Sequence, residues 1–190
     1  MLFYLPLSGS AFRKVYYDQN LGRAVSKFIP SEDLIVPYSA TDLHSATRIT
    51  HVINMPMNDI RKLQQIGFYK DVDLDSGNMM ADETDDIQEG IDELQGVKPS
   101  YDDDDTCKVH EIHTELDIEG FEDMNAEGED TGIKLPYIVT IGNNKVLSIR
   151  RNYKENDQLK QRINYFVHYK FLPGLGFYGF GLTHMIGGLS

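Results

Sequence analysis

The sequence predicts an α+β domain, mainly antiparallel β, with two short helices and an acidic insertion at about residues 71–130. Three observations predict it. Short runs rich in aromatic and β-branched residues alternate with turn chemistry, helical periodicity surfaces only twice, and the charge is partitioned between one acidic stretch and basic flanks. A length of 190 residues suits one domain with a core of its own.

The flanks carry most of the strands. Ala11 to Tyr17 is rich in aromatic and β-branched residues, and Asp18-Gln-Asn-Leu-Gly22 supplies turn chemistry before a second run from Ala24 to Ile29, so the two form a hairpin. Leu34 to Val36 and Arg48 to Met55 are further extended runs, the latter with Ile49, His51, Ile53 and Met55 on one face. Asn58 is placed to cap a short helix that carries Ile60, Leu63 and Ile66 and stops at Gly67. Thr84 is a second N-cap, ahead of Ile87, Ile91 and Leu94 at helical spacing and then Gly96.

Ile112, Thr114, Leu116 and Ile118 alternate with Glu111, His113, Glu115 and Asp117, the pattern of a half-buried strand. Leu135 to Ile141 and Lys145 to Arg150 flank Gly142-Asn143-Asn144, a turn that accepts positive φ and predicts a second hairpin. The last run sets Ile163, Tyr165, Val167, Tyr169 and Phe171 opposite Asn164, Phe166, His168 and Lys170. The total is roughly seven strands and two helices.

Charge separates the chain into two kinds of surface. Residues 71–130 hold 23 acidic side chains and two basic ones, Lys98 and Lys108, while the rest holds seven acidic and 16 basic. Like charges in a block repel one another and stay solvated, so the acidic stretch reads as a surface insertion on a core drawn from its flanks. A single cysteine, Cys107, excludes a disulfide framework and a four-cysteine zinc module. The longest apolar run falls far short of the ~20 residues of a helical membrane span, and the start lacks the basic region of a signal peptide.

Several constellations invite a chemical reading. Gly174-Leu-Gly176-Phe-Tyr-Gly179 matches G-x-G-x-x-G after a predicted strand, but a dinucleotide site also needs a parallel βαβ unit and an acidic residue further on. The alternative is that these glycines turn the chain. Asp71-Val-Asp73-Leu-Asp75-Ser-Gly77 approaches a calcium loop, with its glycine one position late and Asp82 where a bidentate Glu belongs. Cys107-Lys-Val-His110-Glu-Ile-His113 has the composition of a zinc cluster, yet on a strand His110 and His113 point to opposite faces. The structural alternative sets His110 beside Ile112 and leaves His113 exposed. No cofactor is expected. Arg150-Arg151-Asn152-Tyr153-Lys154 is a compact basic patch suited to phosphate contact or to pairing with an acidic neighbour. A divalent-metal-binding domain or enzyme built on the acidic loop and His110 is the alternative function from residues alone.

Five ordered strings carry a resemblance. Leu5-Pro-Leu-Ser-Gly-Ser-Ala-Phe-Arg-Lys-Val-Tyr-Tyr-Asp18, Arg48-Ile-Thr-His-Val-Ile53, Gly132-Ile-Lys-Leu-Pro-Tyr-Ile-Val-Thr140, Val146-Leu-Ser-Ile-Arg-Arg-Asn152 and Tyr165-Phe-Val-His-Tyr-Lys-Phe-Leu-Pro-Gly-Leu-Gly-Phe-Tyr-Gly-Phe-Gly181 span nearly the whole chain. Together they resemble the portal proteins of tailed bacteriophages, closest to the large podovirus type. Family portals are longer chains, and both ends of this one are apolar rather than polar, so the sequence reads as a fragment covering the β-rich wing ahead of the first stem helix.

The resemblance implies a structural protein without an active site: a homo-oligomer, typically a dodecamer, at one capsid vertex of the virion, assembled in the host bacterial cytoplasm. Through the parent chain its partners would be capsid, scaffolding, terminase and neck proteins, with viral double-stranded DNA threading the channel during packaging and ejection and no membrane involved. A ring repeats one heterologous contact, which favours opposite charges on the two faces of a subunit. The candidate interface residues are Arg150, Arg151 and Lys154 on one side, and Asp102, Asp103, Asp104 and Asp105 on the other.

Overall fold

The computed structural model describes residues 1–18, 21–74, 106–124, 127–174 and 176–187, and within them the chain builds two antiparallel sheets. Helix α1 (Tyr4–Ser8) leads into strand β1 (Ser10–Asp18), which returns as β2 (Arg23–Ile29), so the first hairpin forms as its turn residues predict. A 3-10 turn (Ser31–Asp33) and the two-residue β3 (Leu34–Ile35) precede β4 (Arg48–Pro56), helix α2 (Met57–Gln65), and then β5 (Thr106–Leu116). The hairpin of β6 (Leu135–Gly142) and β7 (Lys145–Arg151), strand β8 (Phe166–Lys170) and helix α3 (Leu182–Gly187) complete the order.

Strands β2-β1-β8 form a three-stranded sheet and β3-β4-β5-β6-β7 a five-stranded one. The β6–β7 turn consists of Asn143 and Asn144 at φ of 46° and 59°, the doubly positive geometry that a tight hairpin demands and asparagine tolerates. Helix α2 departs from expectation at its start. Asn58 lies inside the first turn and caps nothing; the boundary is Pro56, whose fixed φ ends the strand and whose missing N–H is no loss there. Of the expected apolar stripe, Ile60 is fully buried and Ile66 is exposed. The expected helix after Thr84 lies outside the described residues.

The acidic stretch also contributes differently from expectation. Strand β5 falls within it, yet β5 is the central strand of the five-stranded sheet, so the boundary of charge is not the boundary of the fold. The half-buried strand expected around Ile112 does form, but averaging charge over a long window hid its central place, and its alternate residues Cys107, Val109, Glu111 and His113 are all buried.

Two apolar cores lie against the face of the five-stranded sheet that carries those residues. One joins Phe12, Ile29 and Phe166 of the three-stranded sheet to Leu34 and Ile49, with Leu43, Ala46 and Phe177 filling in. The other joins Met57 and Ile60 of α2 and Tyr69 to Cys107, Val109 and Leu147, and it contains no residue of the three-stranded sheet. Between the two cores the inner face of the sheet is polar.

Candidate functional site

The polar strip follows from strand register. His51 of β4 pairs with Glu111 of β5, Glu111 with Thr140 of β6, and Thr140 with Ser148 of β7, making one cross-strand row of polar side chains. The adjacent row runs from Ile49 through His113 and Ile138 to Arg150. Onto these rows β1 and β8 place Lys14 and Phe166, which are themselves paired.

Glu111 organises the site. Its Oε1 accepts hydrogen bonds from Lys14 Nζ at 2.5 Å and His113 Nε2 at 2.8 Å, and its Oε2 lies 3.8 Å from an Arg150 guanidinium nitrogen. Burial alone would raise the Glu111 carboxyl, but the His113 hydrogen bond and the charge of Lys14 outweigh it and hold the group well below the usual carboxylate range. His113 is 2 % exposed, and burial pulls it below its ordinary value against the pull of Glu111, so it sits as a neutral ring donating Nε2–H to the carboxylate. His51 is lowered to about 4, first by burial and then by the nearby Lys14 charge. The Phe166 ring packs edge-on to both imidazoles, 5.9 Å from His51 and 4.9 Å from His113.

This arrangement corrects the expected faces of β5. His113 is buried and His110 is half-buried on the opposite face with Ile112, the reverse of an exposed His113. Hydrophobic alternation pointed to Ile112, Leu116 and Ile118 as the inner set; instead Glu111 and His113 turn inward because Lys14 supplies the counter-charge that makes their burial tolerable. Lys14 and Glu111 are far apart in the chain, and the only local signal was a lysine between Phe12 and Tyr16 on the inner face of an aromatic strand. Cys107 shares a face with His113 but bonds to Asn143 Oδ1 at 3.4 Å. Among the described residues no group of three metal-ligating side chains is placed to hold an ion. Asp75 and Asp82 of the calcium-like run lie outside the described residues.

The basic patch is divided by the strand that bears it. Arg150 turns inward, its guanidinium 4.7 Å above the Phe68 ring, whereas Arg151 turns outward and pairs with Glu155 at 3.2 Å. Lys154 is exposed in the segment that follows. Asp102, Asp103, Asp104 and Asp105 lie outside the described residues.

The late glycines close the chain on itself. A Cβ on Gly179 would stand 2.6 Å from the Gly9 carbonyl oxygen, and one on Gly181 would overlap the Leu7 carbonyl. This close approach lets the Gly179 N–H donate to Ser10 Oγ at 2.8 Å and the Phe171 N–H to the Gly9 carbonyl at 3.0 Å. Ser10 Oγ also lies 3.1 Å from His168 Nε2, and the His168 ring stacks against both Phe12 and Phe177, which also stack on each other. The glycines therefore admit protein backbone, while Gly176, the middle one of the motif, faces open space.

A separate groove of about 450 Å³ runs between residues 133–136 and 158–162, with Glu115, Asp123 and Lys160 on its walls. Asp123 pairs with Lys160 and accepts from Thr131 Oγ1 at 2.8 Å, both of which hold its carboxyl below the ordinary value. No protein-family model matches the chain, and no similar curated protein is found.

Proposed function

We propose that the chain is the wing region of a portal subunit: a structural element of a homo-oligomeric ring, typically a dodecamer, through which a phage genome is packaged and ejected at one capsid vertex. Five ordered strings resembling portals support this reading, together with the antiparallel two-sheet architecture. The observation that carries it is the apolar surface at α1 and α3, two helices that pack together and are tied by the Thr183 hydroxyl donating to the Leu7 carbonyl at 2.8 Å. Leu2 and Phe3 beside α1 are 89 % and 91 % exposed, and Met185 and Ile186 of α3 are exposed with them. Exposed apolar side chains of this kind mark a surface suited to cover by another segment or subunit, and a ring subunit meets a neighbour on each side.

In this reading the acidic segment of one copy, Asp102 to Asp105 included, meets Arg151 and Lys154 of the next, with Arg150 at the inner edge of that patch. Sedimentation velocity and negative-stain imaging of the full-length protein test the proposal. A closed ring of identical copies around a channel is expected; a monomer at every concentration and salt would discard it. Neutralising Arg151 and Lys154 together should weaken assembly and its salt dependence, with Arg150 left in place because it turns inward.

A further inference from the structure

The inner face of the five-stranded sheet carries an unusual concentration of unmet hydrogen bonding. Among the described residues, the buried side-chain atoms without a partner are His51 Nδ1, Thr140 Oγ1, Ser148 Oγ, Arg150 Nε and both side-chain atoms of Asn152. Register puts all of them on one face: His51, Thr140 and Ser148 in the row of Glu111, Arg150 in the next row, and Asn152 two residues further along the same chain. A buried polar atom left unbonded loses its hydration and gains nothing, so this strip is more stable wet than dry.

The strip is also where one core ends and the other begins, and the knot of Lys14, Glu111 and His113 spans it. The groups facing the knot are mostly cationic or able to become so. Among the described residues, Lys14 comes from β1, Lys27 is its neighbour on β2, His51 comes from β4, His113 from β5 and Arg150 from β7, with the Tyr69 hydroxyl nearby, the Tyr165 ring 5.8 Å from that of His113 and the Tyr16 ring 5.8 Å from Lys14 Nζ. Glu111 is the carboxylate among them.

We infer that the knot and the adjoining His51 form an acid-released latch: proton uptake at His51 and His113 leaves the Glu111 carboxylate outnumbered by the cations around it, and the three-stranded sheet parts from the five-stranded sheet along the strip before the latter unfolds. The order follows from the cores. Parting the sheets opens the core of Phe12, Ile29 and Phe166 and lets water reach the strip, while the core under α2 and the β4–β7 pairings stay closed. Burial lowers both histidines from their ordinary values, so the latch is shut near neutrality and yields in mild acid.

Hydrogen exchange on the intact protein at pH 7 and pH 4, corrected for intrinsic rates, reads this directly. Amides of β1, β2 and β8 should lose at least tenfold more protection than those of β5 and β6 on acidification. His51→Gln removes one of the titrating groups and should narrow that difference severalfold. Equal loss of protection in both sheets, or protection in β1 and β8 unchanged at pH 4, would overturn the inference.

Discussion

Lys14 Nζ on the three-stranded sheet lies 2.5 Å from Glu111 Oε1 on the central strand of the five-stranded sheet, with 14 % and 11 % of the two side chains exposed. Removing either partner strands the other charge in the interior. Lys14→Met and Glu111→Leu should therefore each cost about 3–5 kcal/mol in urea unfolding. The doubly substituted protein carries neither charge and should recover part of the combined loss. Strictly additive losses would show that the two groups are not coupled.

Stability should fall as the solution is acidified from about pH 6.5 toward pH 4. The unfolded chain protonates His51 near its ordinary value of about 6.5, whereas the folded protein does so only near 4. Between those values the unfolded state holds more protons, which lowers stability by up to about 1.4 kcal/mol per pH unit for this group. His168, lowered to about 4 by burial and then by Lys170, acts in the same window. Glu111 acts in the same direction over a lower window: its depressed carboxyl stabilises the fold above the ordinary carboxylate range, and that contribution is lost as the pH falls below it. Urea midpoints at pH 7, 5.5 and 4.5 check the slope, and His51→Gln should flatten it.

Gly179→Ala brings a methyl against the Gly9 and Leu172 carbonyl oxygens, backbone atoms that cannot swing aside. A loss of about 2 kcal/mol or more is expected. Gly176→Ala, with open space around the added methyl, should stay within about 0.5 kcal/mol. Thermal melts compare the two. A saturable rise in melting temperature with NAD or ATP would instead restore a nucleotide role to these glycines.

Cys107 is 1 % exposed and its thiol is pushed up by burial, against a hydrogen bond from Asn143. Electrophilic reagents that thiolates attack should label it slowly in the native protein and at the ordinary rate in urea. Rapid native labelling at neutral pH would show that the strand end opens.

Both hairpins were legible in the sequence because their signals are local: Asp18 to Gly22, and Asn143 with Asn144, encode turns that flanking apolar runs then close. The sidedness of β5 was not. Its apolar residues alternate cleanly, and only a lysine some hundred positions earlier makes the other face the buried one. The basic run from Arg150 to Lys154 looked continuous in sequence, but strand geometry sends consecutive residues to opposite faces. The start of α2 was misplaced for a simpler reason: a proline that closes a strand outweighed an asparagine suited to a cap.

The pairing of Ser10 with Lys170 joins the earliest strand to the latest, so the smaller sheet cannot be finished until nearly all described residues have left the ribosome. The hairpin of β6 and β7 needs only neighbours and can zip within microseconds. Synthesis therefore leaves β1 and β2 as a lone ribbon, its tyrosines and valines uncovered, until β8 arrives. Such long-range closure slows folding and exposes the early ribbon to unwanted partners for as long as β8 is awaited.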